Sequence, residues 1–388
     1  MEPVAAPGGT PTARVRALDG LRGAAVVAVL LFHAGHLVGG YLGVDLFFVL
    51  SGFLITGLLL AEWEGTGEMR LVAFWARRAR RLLPALFAML GGVVAYAAFV
   101  AHPIQLGAIR ADALATLGYV ANWHSIIGGH SYWDIFSVPS PLNHTWSLAI
   151  EEQFYLLWPL IVVGLAVGAR RRDRLPRRVF VVAVAGAAGL SALAIGLAVS
   201  GADPNRVYLG TDTRAPAILL GAALAAASRW RAPGRSKAGR IAIEIAGLAG
   251  IGWLAWAWTH LHGQDPFLGR GGLLLCGVAS VLVITAVTQP RRGPAASVLS
   301  FAPLCSLGLI SYGLYLWHWP VYVWLTANRT GVHGWTLTGV RVTTSLTLAV
   351  VSYFLIEMPI RRGALRGWRI RVLTPVAVAL TLTAVLVV

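Results

Sequence analysis

A chain of 388 residues that is 57% apolar and only 12% charged is no soluble domain, where the charged share is about 25%. The net charge of +16 invites a nucleic-acid reading, but nearly all of the Arg lies in short clusters between apolar runs. Those runs are about 20 residues long, enough to cross a bilayer as a helix, so the charge marks topology and a nucleic-acid partner is excluded. The expected fold class is an all-α integral membrane protein, a polytopic bundle of about 10+1 transmembrane helices in a lipid bilayer.

Residues 1–17 are rich in Pro, Gly and Thr and lack the basic end, apolar run and cleavage site of a signal peptide, so they read as a disordered cytoplasmic tail. The expected spans are 23–40, 42–61, 82–101, 146–168, 179–199, 211–228, 241–261, 271–288, 303–325, 336–358 and 370–388. Segment 112–123 is too short and too polar to count as a crossing. If it stays on one side, 26 of the 32 Lys and Arg collect on the same face of the membrane; if it crosses, that bias largely cancels. The N-terminus is therefore expected in the cytoplasm and the C-terminus outside, with 102–145 as one long external excursion.

The first span carries Arg22 and His33, and a charged or titratable group in hydrocarbon costs roughly 2.5–3.5 kcal/mol, which hints at function. Eleven helical steps make about 1100°, so both side chains share a face, about 16 Å apart along the axis. Singly, Arg22 reads as a cytoplasmic anchor and His33 as an interhelical hydrogen-bonder. Together they suit an Arg that grips an anionic donor and an imidazole one extended arm away, tuned for general base or nucleophile work. In the second span Asp45 either orients a histidine or bonds a helix terminus, while Ser51 and Gly52 mark close helix packing. The stretch "FWARRARRLLPAL" at 74–86 carries Pro84, suited to the first turn of the third span. Arg78 and Arg81, three apart, share a helical face and suit phosphate clamping, against the plainer reading of a cytoplasmic anchor.

Taken in order, these motifs resemble the acyltransferase 3 family of bacterial multi-pass membrane O-acyltransferases, from about 16 to 362. The resemblance rests on Arg22 and His33 with ten residues between them, "GVDLFFVLSGFLITGLLL" (43–60), and Arg78 and Arg81 followed by Leu82 and Pro84. It continues through "HTWSLAIEEQFYLLWP" (144–159), "TDTRAPAILLGAALA" (211–225), "ISYGLYLWHWPV" (310–321) and "VSYFLIEMPIRR" (351–362). It implies that an acyl group, often acetyl, passes from cytoplasmic acyl-CoA (acetyl-CoA) to a hydroxyl of a cell-surface glycan or lipid-linked sugar at the bacterial inner membrane. His33 would be the catalytic histidine, Arg22 its essential partner, and Arg78 and Arg81 the ligands of the CoA phosphates. The sequence leaves open whether His33 acts as a general base or carries the acyl group itself. Two other readings stand beside this one: acylation of a small hydrophobic metabolite such as a macrolide, and transport of an anionic acyl compound. A transporter would be expected to show inverted repeats, and the opening motif does not recur in the second half.

Within the excursion, His144, Trp146 and Glu151 are acceptor-side candidates. Glu151 and Glu152 point about 100° apart on a helix, so only one faces a shared cavity. Glu151 is favoured as acceptor-side base or histidine partner, against both carboxylates merely binding backbone or Arg. Trp123, Tyr132, Trp133, Trp146 and Tyr155 fit a sugar-stacking surface, but an interfacial aromatic belt suits most of them better. Asp212 and Arg214 are expected to pair with each other. His318 needs a buried partner, either within the site or as structure, and Glu357 reads as an anchor for Arg361 and Arg362. His36 lies near His33, yet no further ligands complete a set, and no metal is expected. Cys276 and Cys305 read as small core residues. The expected domain boundaries are a tail at 1–17, an acyltransferase membrane domain at 18–362, and a final span at 363–388. Many relatives continue into an external hydrolase-like domain, whereas this chain stops at Val388 inside an apolar run. It is expected to be a stand-alone member or a truncated form, the former finishing transfer itself or with a separate external acyltransferase or hydrolase-like partner.

Overall fold

In hydrocarbon every backbone N–H and C=O must be satisfied within the chain, and long apolar runs therefore fold as helices. The computed structural model describes residues 15–129, 140–167, 174–230, 236–363, 383, 385 and 386. The tail to residue 14, Tyr132, Trp133, the Arg run at 170–172 and nearly all of the expected span 370–388 lie outside the described residues. Those described form helices and connecting turns with no strand among them, and the chain is an all-α integral membrane protein.

In chain order the helices are α1 (Arg16–His33), α2 (Gly43–Thr66), α3 (Leu71–Phe99), α4 (Pro103–Leu117), α5 (Ala121–Ile127), α6 (Trp146–Val167), α7 (Arg174–Val199) and α8 (Pro204–Leu209). After these come α9 (Thr211–Trp230), α10 (Lys237–His260), α11 (Leu273–Val287), α12 (Pro294–Leu299), α13 (Ala302–Trp324), α14 (Ala327–Thr330), α15 (Gly334–Ser352) and α16 (Met358–Arg361). Seven helical stretches among the described residues are long and apolar enough to cross a bilayer. α1, α9 and α13 occupy the positions of three further expected spans.

Two helices depart most from the sequence expectation. α1 begins at Arg16 and stops at His33 instead of covering 23–40, because the chain turns there through a left-handed Gly35 (φ 80°). Gly35 N donates to Phe32 O and His36 N to Leu31 O, both at 2.9 Å, the paired bonds that close a helix on a C-terminal glycine. His33 is thus the last helical residue and not the middle of a span. α3 starts at Leu71, eleven residues earlier than expected, which places the RRARR cluster inside the helix and Pro84 in its interior. Segment 112–123 is broken by a turn at Gly118–Val120, with Tyr119 at φ 53°, and neither α4 nor α5 is long enough to cross.

The contacts divide the chain into two units, Met1–Arg70 with Ile150–Leu309 and Leu71–Ala149 with Ile310–Val388. In the first, α9 packs against α2, α7 and α11, and small residues bring backbones together. A Cβ on Gly52 would stand 1.8 Å from Ile218 O, and one on Gly221 would stand 1.9 Å from Val49 O, so α2 and α9 touch through reciprocal glycines. α1 is seated the same way: a Cβ at Gly20 would meet Leu299 O at 1.6 Å, and one at Gly23 would meet Leu304 O at 2.0 Å. Cys276 and Cys305 are buried free thiols, as small core residues should be. In the second unit α3 packs on the turn Tyr353–Glu357 and on α16, Tyr312 donates to Leu82 O at 3.1 Å, and Trp317 lies over Gly92.

Candidate functional site

α1 runs unbroken from Arg16 to His33, so the eleven steps from Arg22 to His33 do place both side chains on one face, about 16 Å apart. Arg22 is half-buried and His33 buried. The His33 ring meets Phe32 edge-on at 5.1 Å, Phe32 meets Tyr41 at 5.2 Å, and Tyr41 meets Tyr208 at 5.9 Å. Tyr208 in turn lies 4.8 Å beneath the Arg214 guanidinium. Aromatic contacts thus lead from the imidazole to a buried ion pair.

That pair is Asp45 with Arg214, at 2.8 Å and with both side chains all but inaccessible. The carboxylate of Asp45, in the first turn of α2, is thus held by an arginine on α9, a partner the sequence does not suggest. The expected Asp212–Arg214 pair does not form, because Asp212 accepts from both terminal nitrogens of Arg206, at 2.9 and 2.6 Å. A cavity of about 30 Å³ adjoins the buried pair, lined also by Ser191, Thr213, Leu268 and Gly269. It is large enough for one water.

Glu151, in the same unit, accepts from Tyr155 Oη at 2.9 Å, and Tyr155 Oη also lies 2.9 Å from Ser51 Oγ. Ser51 thus tethers α6 to α2, while its neighbour Gly52 supplies the close approach expected of both.

In the second unit Arg78 and Arg81 sit half-buried on α3, with the Arg78 guanidinium 5.7 Å over the Phe74 ring. His144 and His318 come together although 174 positions separate them in the sequence: their rings are 5.5 Å apart and nearly perpendicular, and both are buried. His144 Nε2 donates to Leu316 O at 3.1 Å and His318 Nδ1 to Tyr315 O at 2.5 Å, while Tyr315 Oη donates to His144 O. His144 Nδ1 has no hydrogen-bond partner among the described residues, which leaves a buried lone pair. Trp146 is 1% exposed and Tyr155 is likewise inside, so neither ring stands in an exposed aromatic belt. Sequence reasoning misses Tyr208, and misses Arg214 as the mate of Asp45; a buried Arg in an apolar helix is the one signal that could have found them. Among the described residues no three His, Cys, Asp or Glu side chains gather as a metal set.

A helical membrane protein that buries an Arg–Asp pair and aligns an arginine with a histidine along its first helix falls in the class of polytopic membrane proteins with intramembrane polar sites. The acyltransferase domain family matches residues 15–358, and the chain belongs to that family, acyltransferase 3. It is 40% identical to peptidoglycan O-acetyltransferase OatA of Listeria monocytogenes over 90% of this chain and 56% of that protein. It is 36% identical to O-acetyltransferase OatA of Staphylococcus aureus over 90% of this chain and 58% of the relative. The chain thus spans little more than half the length of these relatives. No solved structure matches it.

Proposed function

We propose that the chain is a membrane O-acetyltransferase that takes an acetyl group from cytoplasmic acetyl-CoA and delivers it to a hydroxyl of a cell-wall glycan. The observation that carries this reading is the unbroken α1, which holds Arg22 and His33 on one face at a separation suited to an extended donor. The names of the relatives support acetyl as the group and peptidoglycan as the acceptor.

Arg22, Arg78 and Arg81 bind the anionic donor, the last two through the planar fork that matches phosphate. At His33 two routes are chemically complete. In direct transfer the imidazole removes the acceptor hydroxyl proton, the oxygen attacks the thioester carbonyl, the C–S bond breaks, and CoA leaves as a thiolate that takes a proton. In the two-step route an imidazole nitrogen attacks the carbonyl and expels the thiolate, which takes the proton the acylated ring releases; the acceptor hydroxyl then attacks the acyl group, the N–C bond breaks, and the hydroxyl proton returns to the imidazole. Glu151, His144 and His318 are the candidate acceptor-side groups of this reading.

The test gives purified protein in a bilayer mimic radiolabelled acetyl-CoA without acceptor and measures CoA thiol release and protein-bound label. Release with label that disappears in His33→Ala supports the two-step route, and binding without release supports direct transfer. With acceptor present, His33→Ala is expected to lower transfer by about 10²–10⁴-fold in a folded protein. Arg22→Ala is expected chiefly to weaken donor binding. Normal transfer by folded His33→Ala protein would sink the proposal, and failure of the wild-type protein to bind acetyl-CoA would favour a transport function.

A further inference from the structure

Glu357 stands at the end of the five-residue π-helical turn Tyr353–Glu357 that joins α15 to α16. Such turns carry one residue more than an α-helical turn, rotate the facing of the residues beyond them, and recur at functional positions. Here Phe354, Leu355 and Ile356 are exposed while the carboxylate of Glu357 is turned inward, leaving the residue 5% exposed. Its Oε1 lies over Gly313, where a Cβ would stand only 3.3 Å away, and among the described residues nothing donates a hydrogen bond to that oxygen. A buried carboxylate oxygen left unfilled is costly, and an anchor for the helix-end arginines alone would not need to be buried.

Two guanidinium charges act on Glu357: Arg361 from α16 and Arg81 from α3. The elements that carry Arg81 and Glu357 are packed together. The π-helical turn and α16 both pack on α3, and Tyr312, beside Gly313, donates to the carbonyl of Leu82, beside Arg81. In the sequence only Arg361 and Arg362 stand close enough to Glu357 to suggest themselves as its partners.

We propose that Glu357 is a positioning residue for the donor site, its carboxylate holding the Arg81 guanidinium in the attitude that grips the donor phosphates. This rests on the reading of Arg78 and Arg81 as phosphate ligands. Gly313 belongs to the same arrangement, since a Cβ there would make the carboxylate give by a few tenths of an ångström.

The experiment measures equilibrium binding of radiolabelled acetyl-CoA by the whole chain in lipid nanodiscs, in a double-mutant cycle. Glu357→Gln is expected to weaken binding about tenfold in the wild-type background and less than about twofold in the Arg81→Ala background, while keeping its full effect beside Arg361→Ala. An equal loss with and without Arg81, or a loss that vanishes only beside Arg361→Ala, overturns the proposal and returns Glu357 to the role of anchor. Unchanged binding by folded Glu357→Gln protein overturns it as well, with the donor reading intact. No binding by the wild-type protein overturns both. Where Glu357→Gln does not fold, Glu357→Asp serves: the shortened carboxylate is expected to weaken donor binding only when Arg81 is present, and a loss independent of Arg81 counts against the proposal.

Discussion

Asp45 and Arg214 share a charge-assisted hydrogen bond in a place where water scarcely reaches, with Phe48 and Tyr208 rings against the guanidinium. Removing one member of a buried pair strands the other, at a cost of about 3–5 kcal/mol, whereas removing both together costs far less. Asp45→Asn and Arg214→Met are each expected to lower the thermal unfolding midpoint in detergent markedly, and the double variant to recover most of the loss. Were Asp45 catalytic instead, Asp45→Asn would unfold normally, lose transfer, and gain nothing from the second change. The individual residues are legible in the sequence and their partners are not. Asp45 and Arg214 are 169 positions apart, and the nearer Asp212 looks the natural mate for Arg214, yet Arg206 holds it at both carboxylate oxygens. Trp146 misleads for a related reason: an aromatic near an expected interface reads the same whether its ring faces lipid, sugar or, as here, the core.

At the scale of elements, apolar length locates the helices, while their ends are set by chemistry that a hydropathy pattern does not weigh. α1 ends at His33 because Gly35 can turn left-handed, and α3 begins at Leu71 because an Arg cluster extends a helix as readily as it ends a span. Ser51 and Gly52 are the packing residues their sequence suggests, and Gly221 is their counterpart on α9. Gly221→Ala places a methyl group against Val49 O and must part the two helices, at an expected cost of about 1–3 kcal/mol. Thermal unfolding in detergent measures it. Gly57→Ala, one turn and more along α2 from Gly52 and with open space where its Cβ would lie, is the matched control and is expected to be neutral or stabilising.

For the molecule as a whole, composition is enough to define the class, and the distribution of Lys and Arg sets the expected orientation. The structure breaks 112–123 into two short helices, which agrees with leaving it out of the crossings. Labelling tests the orientation itself. Cysteines introduced at Gly128, after α5, and at Gly67, after α2, should react with a membrane-impermeant maleimide from opposite sides, Gly128 on intact cells and Gly67 only after the membrane is opened. Cys276 and Cys305 are buried and keep the background low. Protection of position 128 in intact cells would mean that the segment crosses after all and would reverse every later loop. No pattern in the sequence reveals the division of the candidate residues. His33, Arg22, Asp45 and Glu151 fall in one unit, and Arg78, Arg81, His144, Trp146 and His318 in the other, because each unit is assembled from two separate stretches of chain.

The seating of α1 has a consequence for the order of events during synthesis. Gly20 and Gly23 lie against the carbonyls of Leu299 and Leu304, so the helix that carries Arg22 and His33 has no final resting place until the ribosome has passed those leucines. At about 5–20 residues per second that is a wait on the order of tens of seconds. Through that interval α1 must remain in the bilayer with its glycine face unmet, open to lipid or to chaperoning partners, although it is made well before the segments that seat it.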